Sequence, residues 1–253
     1  MQLIDTHAHI YLPEFDTDRD KIVESAEKQG IHMIFMPAID SNSHETMIKA
    51  EHQYNGCKAM MGLHACSVKA ENKDELILIE QWLDRRSFIA IGEIGLDFYW
   101  DKSFTDQQYD VFHYQISLAI KYSLPIVIHS RNAIDECIEV VKQYPGLTGV
   151  FHCFSGDINQ ADQIIQTGFL LGTGGVITYK NAGLDKVVKQ VGLDSLILET
   201  DAPYLAPVPF RGKRNECGYL IYVAEKIANI TGKQLDEVAF ITTQNAMKLF
   251  KLP

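Results

Sequence analysis

Leu3-Ile4-Asp5-Thr6-His7-Ala8-His9 is the stretch that separates two ways of building an α/β protein from this chain. A short apolar run ends on an acid and two imidazoles. An open, doubly wound sheet more often places a glycine-rich phosphate loop after its first strand, and nothing here resembles one. The same pattern, a short apolar run and then a helical stretch, recurs along the chain. The runs are Leu3–Ile4, Ile31–Met36, Ala59–Met61, Phe88–Ile91, Ile126–Ile128, Gly149–Phe151, Phe169–Leu171 and Leu196–Leu198. Nearly uninterrupted apolar runs suit parallel strands buried on both faces. One anchor per run (Asp5, Met36, Gly62, Glu93, Ile128, Phe151, Leu171, Glu199) gives a spacing of about 28 residues, the size of a strand-plus-helix unit. Eight such units are the arithmetic of a single-domain TIM (β/α)8 barrel over residues 1–253.

Between the runs lie helix signals. Helices are expected over Asp18–Gln29, from Asp74 onward, from a capping box at Thr105-Asp106-Gln107-Gln108, and over Ala133–Tyr144, Asn159–Thr167 and Gly183–Val191. Two more, Tyr219–Ile230 and Gln234–Phe250, close the chain.

The composition is that of an ordinary globular protein: 253 residues, 46% hydrophobic and 22% charged. That excludes disorder, collagen and coiled coil. A net charge of −10 argues against coating duplex DNA by bulk electrostatics, so any nucleic-acid contact needs a local basic patch or a bound metal. The 5 cysteines are odd in number and have no CxxC spacing, which excludes a disulfide framework and a zinc knuckle. The longest apolar stretch, Met33–Ile39, is broken by Pro37 and far short of a membrane span. The expectation is a soluble, cytoplasmic protein with no membrane association and no obligate protein partner.

Polar residues stand at the ends of the runs: His7 and His9, His64, Glu93, His129, His152, Glu199 and Asp201. Barrel active sites lie at the C-terminal ends of the strands, so these groups should meet at one mouth. On a strand, residues i and i+2 face the same side, which lets His7 and His9 share one cation. An acid such as Glu93, between Ile91-Gly92 and Ile94-Gly95, is costly to bury without a cationic partner. The residues leave Glu199 three roles: metal ligand, acceptor orienting a histidine, or buried partner of another polar group. Cys153 beside His152 should point away from it by strand alternation. Arg131, Arg211, Lys213 and Arg214 are the candidate phosphate clamp.

These motifs resemble the TatD-type metal-dependent hydrolases of the amidohydrolase superfamily. The resemblance is carried by Ile4-Asp5-Thr6-His7-Ala8-His9, Ile91-Gly92-Glu93-Ile94-Gly95-Leu96-Asp97-Phe98-Tyr99, Pro125-Ile126-Val127-Ile128-His129-Ser130-Arg131, His152-Cys153-Phe154-Ser155-Gly156, Leu198-Glu199-Thr200-Asp201-Ala202-Pro203-Tyr204 and Arg211-Gly212-Lys213-Arg214-Asn215-Glu216. It runs from residue 4 to about residue 250 and ends on Asn245-Ala246-Met247-Lys248-Leu249-Phe250. It implies a TIM barrel with two divalent ions, Mg²⁺, Mn²⁺ or Zn²⁺. His7, His9 and Asp201 would hold one, His129 and His152 the other, and Glu93 would bridge them.

The implied activity is that of a deoxyribonuclease of the 3′→5′ exonuclease type, acting on single-stranded DNA or 3′ ends through a metal-bridging hydroxide. Glu93 and Asp201 would be catalytic; His64 and the four basic residues would meet substrate. The chain departs from the family where His64 is followed by Ala65-Cys66 instead of proline, and where Cys217 replaces a common proline. Two other readings compete: an amidohydrolase of a small amide, lactone or ester, and a non-catalytic metal-binding or scaffold protein.

Overall fold

The computed structural model describes residues 1–252. Eight parallel strands alternate with helices: β1 (Leu3–Asp5), α1 (Arg19–Lys28), β2 (Ile31–Met36), α2 (Ser41–Gln53), β3 (Cys57–Ala59), α3 (Lys73–Arg85), β4 (Ile91–Gly95), α4 (Thr105–Tyr122), β5 (Ile126–His129), α5 (Ile134–Val141), β6 (Gly149–Phe151), α6 (Ile158–Gln166), β7 (Leu170–Thr173), α7 (Leu184–Val191), β8 (Leu196–Leu198), α8 (Leu220–Thr231) and α9 (Leu235–Leu249). Strands β1 to β3 and β4 to β8 form two runs of parallel pairing. Both seams between the runs are closed by short bridges. Met61 pairs with Ile91 at one, and Ala8 with Ala202 at the other. At the second seam Thr6 N–H donates to Leu198 O, Asp201 N–H to His7 O and His9 N–H to Ala202 O. The result is a TIM-like α/β barrel.

The barrel interior is a separate apolar cluster. It takes Ile4, Phe35, Val127, Val150 and Ile197 from five strands, with Met60 just after β3 and Ala90 just before β4. Ala246, Leu249 and Phe250 of the last helix pack against it, with the Phe250 ring 4.9 Å from that of Phe35. Strand alternation from this layer aims the chemistry. Two residues beyond Val127, Val150 and Ile197 stand His129, His152 and Glu199, so these side chains also point inward. Strand β4 reaches the same end by an irregularity, a register shift between Ile91 and Ile94. Such a bulge re-aims the residues it contains, here Glu93.

Several expected boundaries moved. The fourth strand lies at Ile91–Gly95, later than Phe88–Ile91, and the third at Cys57–Ala59, earlier than Ala59–Met61. The capping box at Thr105 is absent. Thr105 is already helical, after Phe104, and its hydroxyl donates to Lys102 O. The helix expected from Asp74 begins at Lys73, with Asn72 at its cap. Helix α2 was not anticipated. It starts with a true capping box, Asp40 with Ser43, and its buried side includes the polar Ser43 and His44.

Candidate active site

Every histidine and carboxylate expected at the mouth arrives there. The Nε2 atoms of His7 and His9 are 3.3 Å apart, and each lies 3.7 Å from Asp201 Oδ1. Glu93 stands between two groups with its two oxygens divided. Oε2 is 3.1 Å from His7 and 3.8 Å from His9. Oε1 is 2.8 Å from His129 Nδ1, 3.3 Å from His64 Nε2 and 3.8 Å from His152 Nε2. His152 Nε2 is also 3.8 Å from Asp201 Oδ1, and its ring stacks on His7 at 3.5 Å.

Hydrogen bonds behind the rings fix which nitrogens face the centre. Tyr11 donates to Pro37 O at 2.7 Å, so its oxygen accepts from His9 Nδ1–H at 3.0 Å. The lone pair of His9 Nε2 is thereby turned inward. His129 Nε2 donates to Asp97 Oδ2 at 2.7 Å, which turns His129 Nδ1 inward. His64 is different. Its Nδ1 accepts the Cys66 N–H at 3.0 Å, so the proton sits on Nε2 and the ring offers a donor to the site.

The loop after β8 is held as firmly. Buried Asp5 accepts from Thr200 N–H at 2.9 Å and from its hydroxyl at 2.6 Å. Asn215 donates to Thr200 O and Tyr204 O. Asp201 itself takes a left-handed φ of 58°. Glu199 Oε1 lies 3.0 Å from His152 Nδ1 and accepts the Cys153 N–H. Of its three roles, the structure shows the neighbour of a histidine's rear nitrogen.

Electrostatics divide the carboxyls. Burial pushes Asp201 up to about 8 and Glu199 up to about 7. Burial also opposes charge on Glu93, but His64, His7, His152 and His129 around it hold its carboxyl well below the usual range. Burial lowers His7 and His9, keeping both imidazoles neutral. For His129, burial is outweighed by the hydrogen bonds to Asp97 and Glu93, and its pKa rises to about 9.

The donor set fits a divalent cation. Two buried imidazoles whose protonation is suppressed face each other at 3.3 Å. Ligands about 2.1 Å from one ion are separated by roughly 3.0–3.5 Å, close to the spacing of His7, His9 and Asp201. A second set of close ligand atoms is His7, Glu93 and His152. Cys153 departs from expectation. With φ at 45° it leaves strand geometry, and its sulfur lies within 4.8 Å of ligand atoms of His152 and Glu199.

The basic residues separate. Arg214 was expected in the phosphate clamp, but the fold uses it. Its guanidinium forks onto Asp18 at 2.9 and 2.7 Å, donates to Glu14 O and lies over Phe15. Arg211 and Lys213 are exposed, and among the described residues neither has a carboxylate partner; Arg211 rests on the Tyr179 ring. Arg131 is exposed and stacks on Tyr99. Sequence reasoning missed Asp97 and Tyr11 as orienting groups. For Asp97, an acid two residues past a fully buried strand was the available signal.

The sequence model of the TatD related DNases matches residues 4–251. The chain belongs to the TatD related DNase family. Membership makes it a metal-dependent hydrolase of the deoxyribonuclease class. Among TatD relatives, YabD of Bacillus subtilis, an uncharacterized metal-dependent hydrolase, is 38% identical over 99% of both chains. The 3′-5′ ssDNA/RNA exonuclease TatD of Erwinia amylovora is 30% identical over 99% of this chain and 100% of its own length. The crystal structure of the TatD homologue YjjV from Escherichia coli superposes with a TM-score of 0.94 at 32% identity, covering 99% of this chain and 98% of that one. Among the described residues no helix is long and apolar enough to cross a membrane.

Proposed function

We propose that this TatD family member is a two-metal deoxyribonuclease that removes nucleotides from the 3′ end of single-stranded DNA. The observation that carries the reading is Glu93, a buried carboxylate whose two oxygens face two different groups of ligand nitrogens. His7, His9 and Asp201 would hold one ion, His129 and His152 the other, and Glu93 would touch both. When bound, two divalent cations such as Mg²⁺, Mn²⁺ or Zn²⁺ lower the pKa of water and offset charge on the phosphoryl group.

The protein's own groups do the rest. Asp201 would take the proton of the attacking water through the carboxylate oxygen that does not hold the ion. His64 Nε2–H is the donor for a phosphoryl or leaving oxygen, since its other nitrogen is committed to Cys66. Arg211 and Lys213, exposed and without a carboxylate partner among the described residues, would meet neighbouring backbone phosphates, and so would Arg131. Residues 1–253 act as one catalytic domain, in a reducing cytoplasm that keeps all five thiols free.

The test is a substrate panel of single-stranded DNA, duplex DNA, RNA and a lactone, each with Mg²⁺, Mn²⁺ and Zn²⁺, using end-labelled strands. The expected result is stepwise shortening of single-stranded DNA from its 3′ end. Turnover of the lactone with no cleavage of any nucleic acid would replace this reading with that of a small-molecule amidohydrolase.

A further inference from the structure

Beside the centre, the loop after β4 exposes two adjacent aromatic rings. Tyr99 is 50% exposed and Trp100 is 66% exposed, with ring centroids 4.9 Å apart and nearly perpendicular. Large aromatics left in water next to a polar site lose the burial that normally retains them, and that loss asks for a partner. Part of the answer is Arg131, whose guanidinium carbon lies 3.7 Å from the Tyr99 ring centre and 5.3 Å from that of Trp100. Among the described residues no carboxylate pairs with Arg131, so its charge is open to an anion.

The cluster is tied to the reaction centre by a single side chain. Asp97 Oδ2 accepts from His129 Nε2, while Asp97 Oδ1 accepts the N–H groups of both Tyr99 and Trp100 at 2.9 Å. Phe98 N–H donates to Arg131 O at 3.0 Å, locking this loop to the one after β5. The rings therefore sit one carboxylate away from a histidine that faces Glu93, on a loop ordered from both sides.

We propose that Trp100, Tyr99 and Arg131 form a stacking subsite for the nucleobase next to the scissile phosphate. The proposal rests on the nuclease reading and gives it a source of preference for unpaired strands. Every base has a π-face, but only an unstacked base can present it to Trp100 and the Arg131 guanidinium, whereas a paired base is already covered by its neighbours. The arginine adds a cation–π contact to the base and a charge for the adjoining phosphate.

The metal-loaded protein is tested with two single-stranded oligomers of equal length and charge, one carrying normal bases and one with abasic residues at its 3′ end. The chain has 2 tryptophans, so Trp82→Phe leaves Trp100 as the only indole reporter. In stopped flow, the base-bearing oligomer is expected to quench Trp100 emission before the first turnover, and the abasic one to leave it unchanged. In steady state the abasic oligomer should show a KM about tenfold higher, and Trp100→Ala should shrink that ratio toward one. Tyr99→Leu should shrink it as well, and gives a second variant if the first lowers folding yield. Equal quenching by the two oligomers, or a KM ratio that survives both substitutions in a DNA-cleaving enzyme, overturns the subsite and leaves the nuclease reading standing. A wild-type protein that neither binds nor cleaves either oligomer overturns both.

Discussion

At the scale of single residues, the site is a problem of tautomers. A histidine can coordinate a cation only through a nitrogen without a proton, and each ring is committed by what its far nitrogen touches. Tyr11 settles His9, Asp97 settles His129, and the Cys66 N–H settles His64 the opposite way. Tyr11→Phe keeps the buried ring but removes the acceptor behind His9. Metal affinity is expected to fall about tenfold or more, read by chelator competition, with the fold intact. Asp97→Asn offers His129 an amide that can turn its N–H₂ toward the ring and favour the wrong tautomer; metal affinity should fall about 10- to 100-fold. Glu93→Gln is the sharper test. It preserves shape but removes the charge facing both groups, so bound metal and kcat should fall together. A fully metallated, active Glu93→Gln protein would place the bridge elsewhere.

At the scale of elements, strand pairing and a few tight approaches set the distances. Gly95 pairs with His129 across β4 and β5 at a φ of 136°, and a Cβ there would lie 2.1 Å from His129 O. Gly95→Ala must therefore push apart the two strands that bring Glu93 to His129. An expected loss of about 2–4 kcal/mol would show as a clearly lowered Tm, together with lost activity. Gly172→Ala acts on the other side, where a Cβ would meet Glu199 Oε2 at 2.4 Å. The strand-end histidines were legible in the sequence because each apolar run buries its own backbone and the next polar residue has nowhere else to go. Helix α2 was not, because its buried stripe carries Ser43 and His44 and so lacks an apolar period. Thr105 mimicked a cap in sequence, but it stands inside the first turn, one residue past the cap position held by Phe104. Arg214 read as a phosphate ligand because its partner, Asp18, lies far away in the chain and no local pattern announces the pair.

At the scale of the whole molecule, folding stores protons in and around the candidate metal site. Burial raises Asp201 to about 8 and Glu199 and Asp5 to about 7, and the Asp97 and Glu93 partners raise His129 to about 9. Each of these groups holds its proton more tightly folded than unfolded. The stability the carboxyls contribute is complete below about pH 4, and that of His129 below about pH 6.5. All of it is lost as pH climbs through 7 to 9. Glu93 and Asp97 run the other way: their pKa values are lowered, so their contribution is present near neutrality and is lost only in acid. Buried neutral His7, His9 and His152, whose pKa values are lowered, likewise lose their contribution as pH falls below about 6.5, so the metal-free protein should be most stable near neutrality and lose Tm from about pH 6.5 to pH 9. At the proposed site a divalent cation would take the place of protons on Asp201 and His129, which could coordinate only after releasing them. The gain in Tm on adding metal should consequently grow over the same pH range. Calorimetric titration of metal at pH 7, repeated in buffers of different ionisation enthalpy, should register release of about one to two protons per chain. A metal-induced gain in Tm that is identical at pH 6 and pH 9, with heats independent of the buffer, would mean that the ions bind elsewhere than at Asp201 and His129.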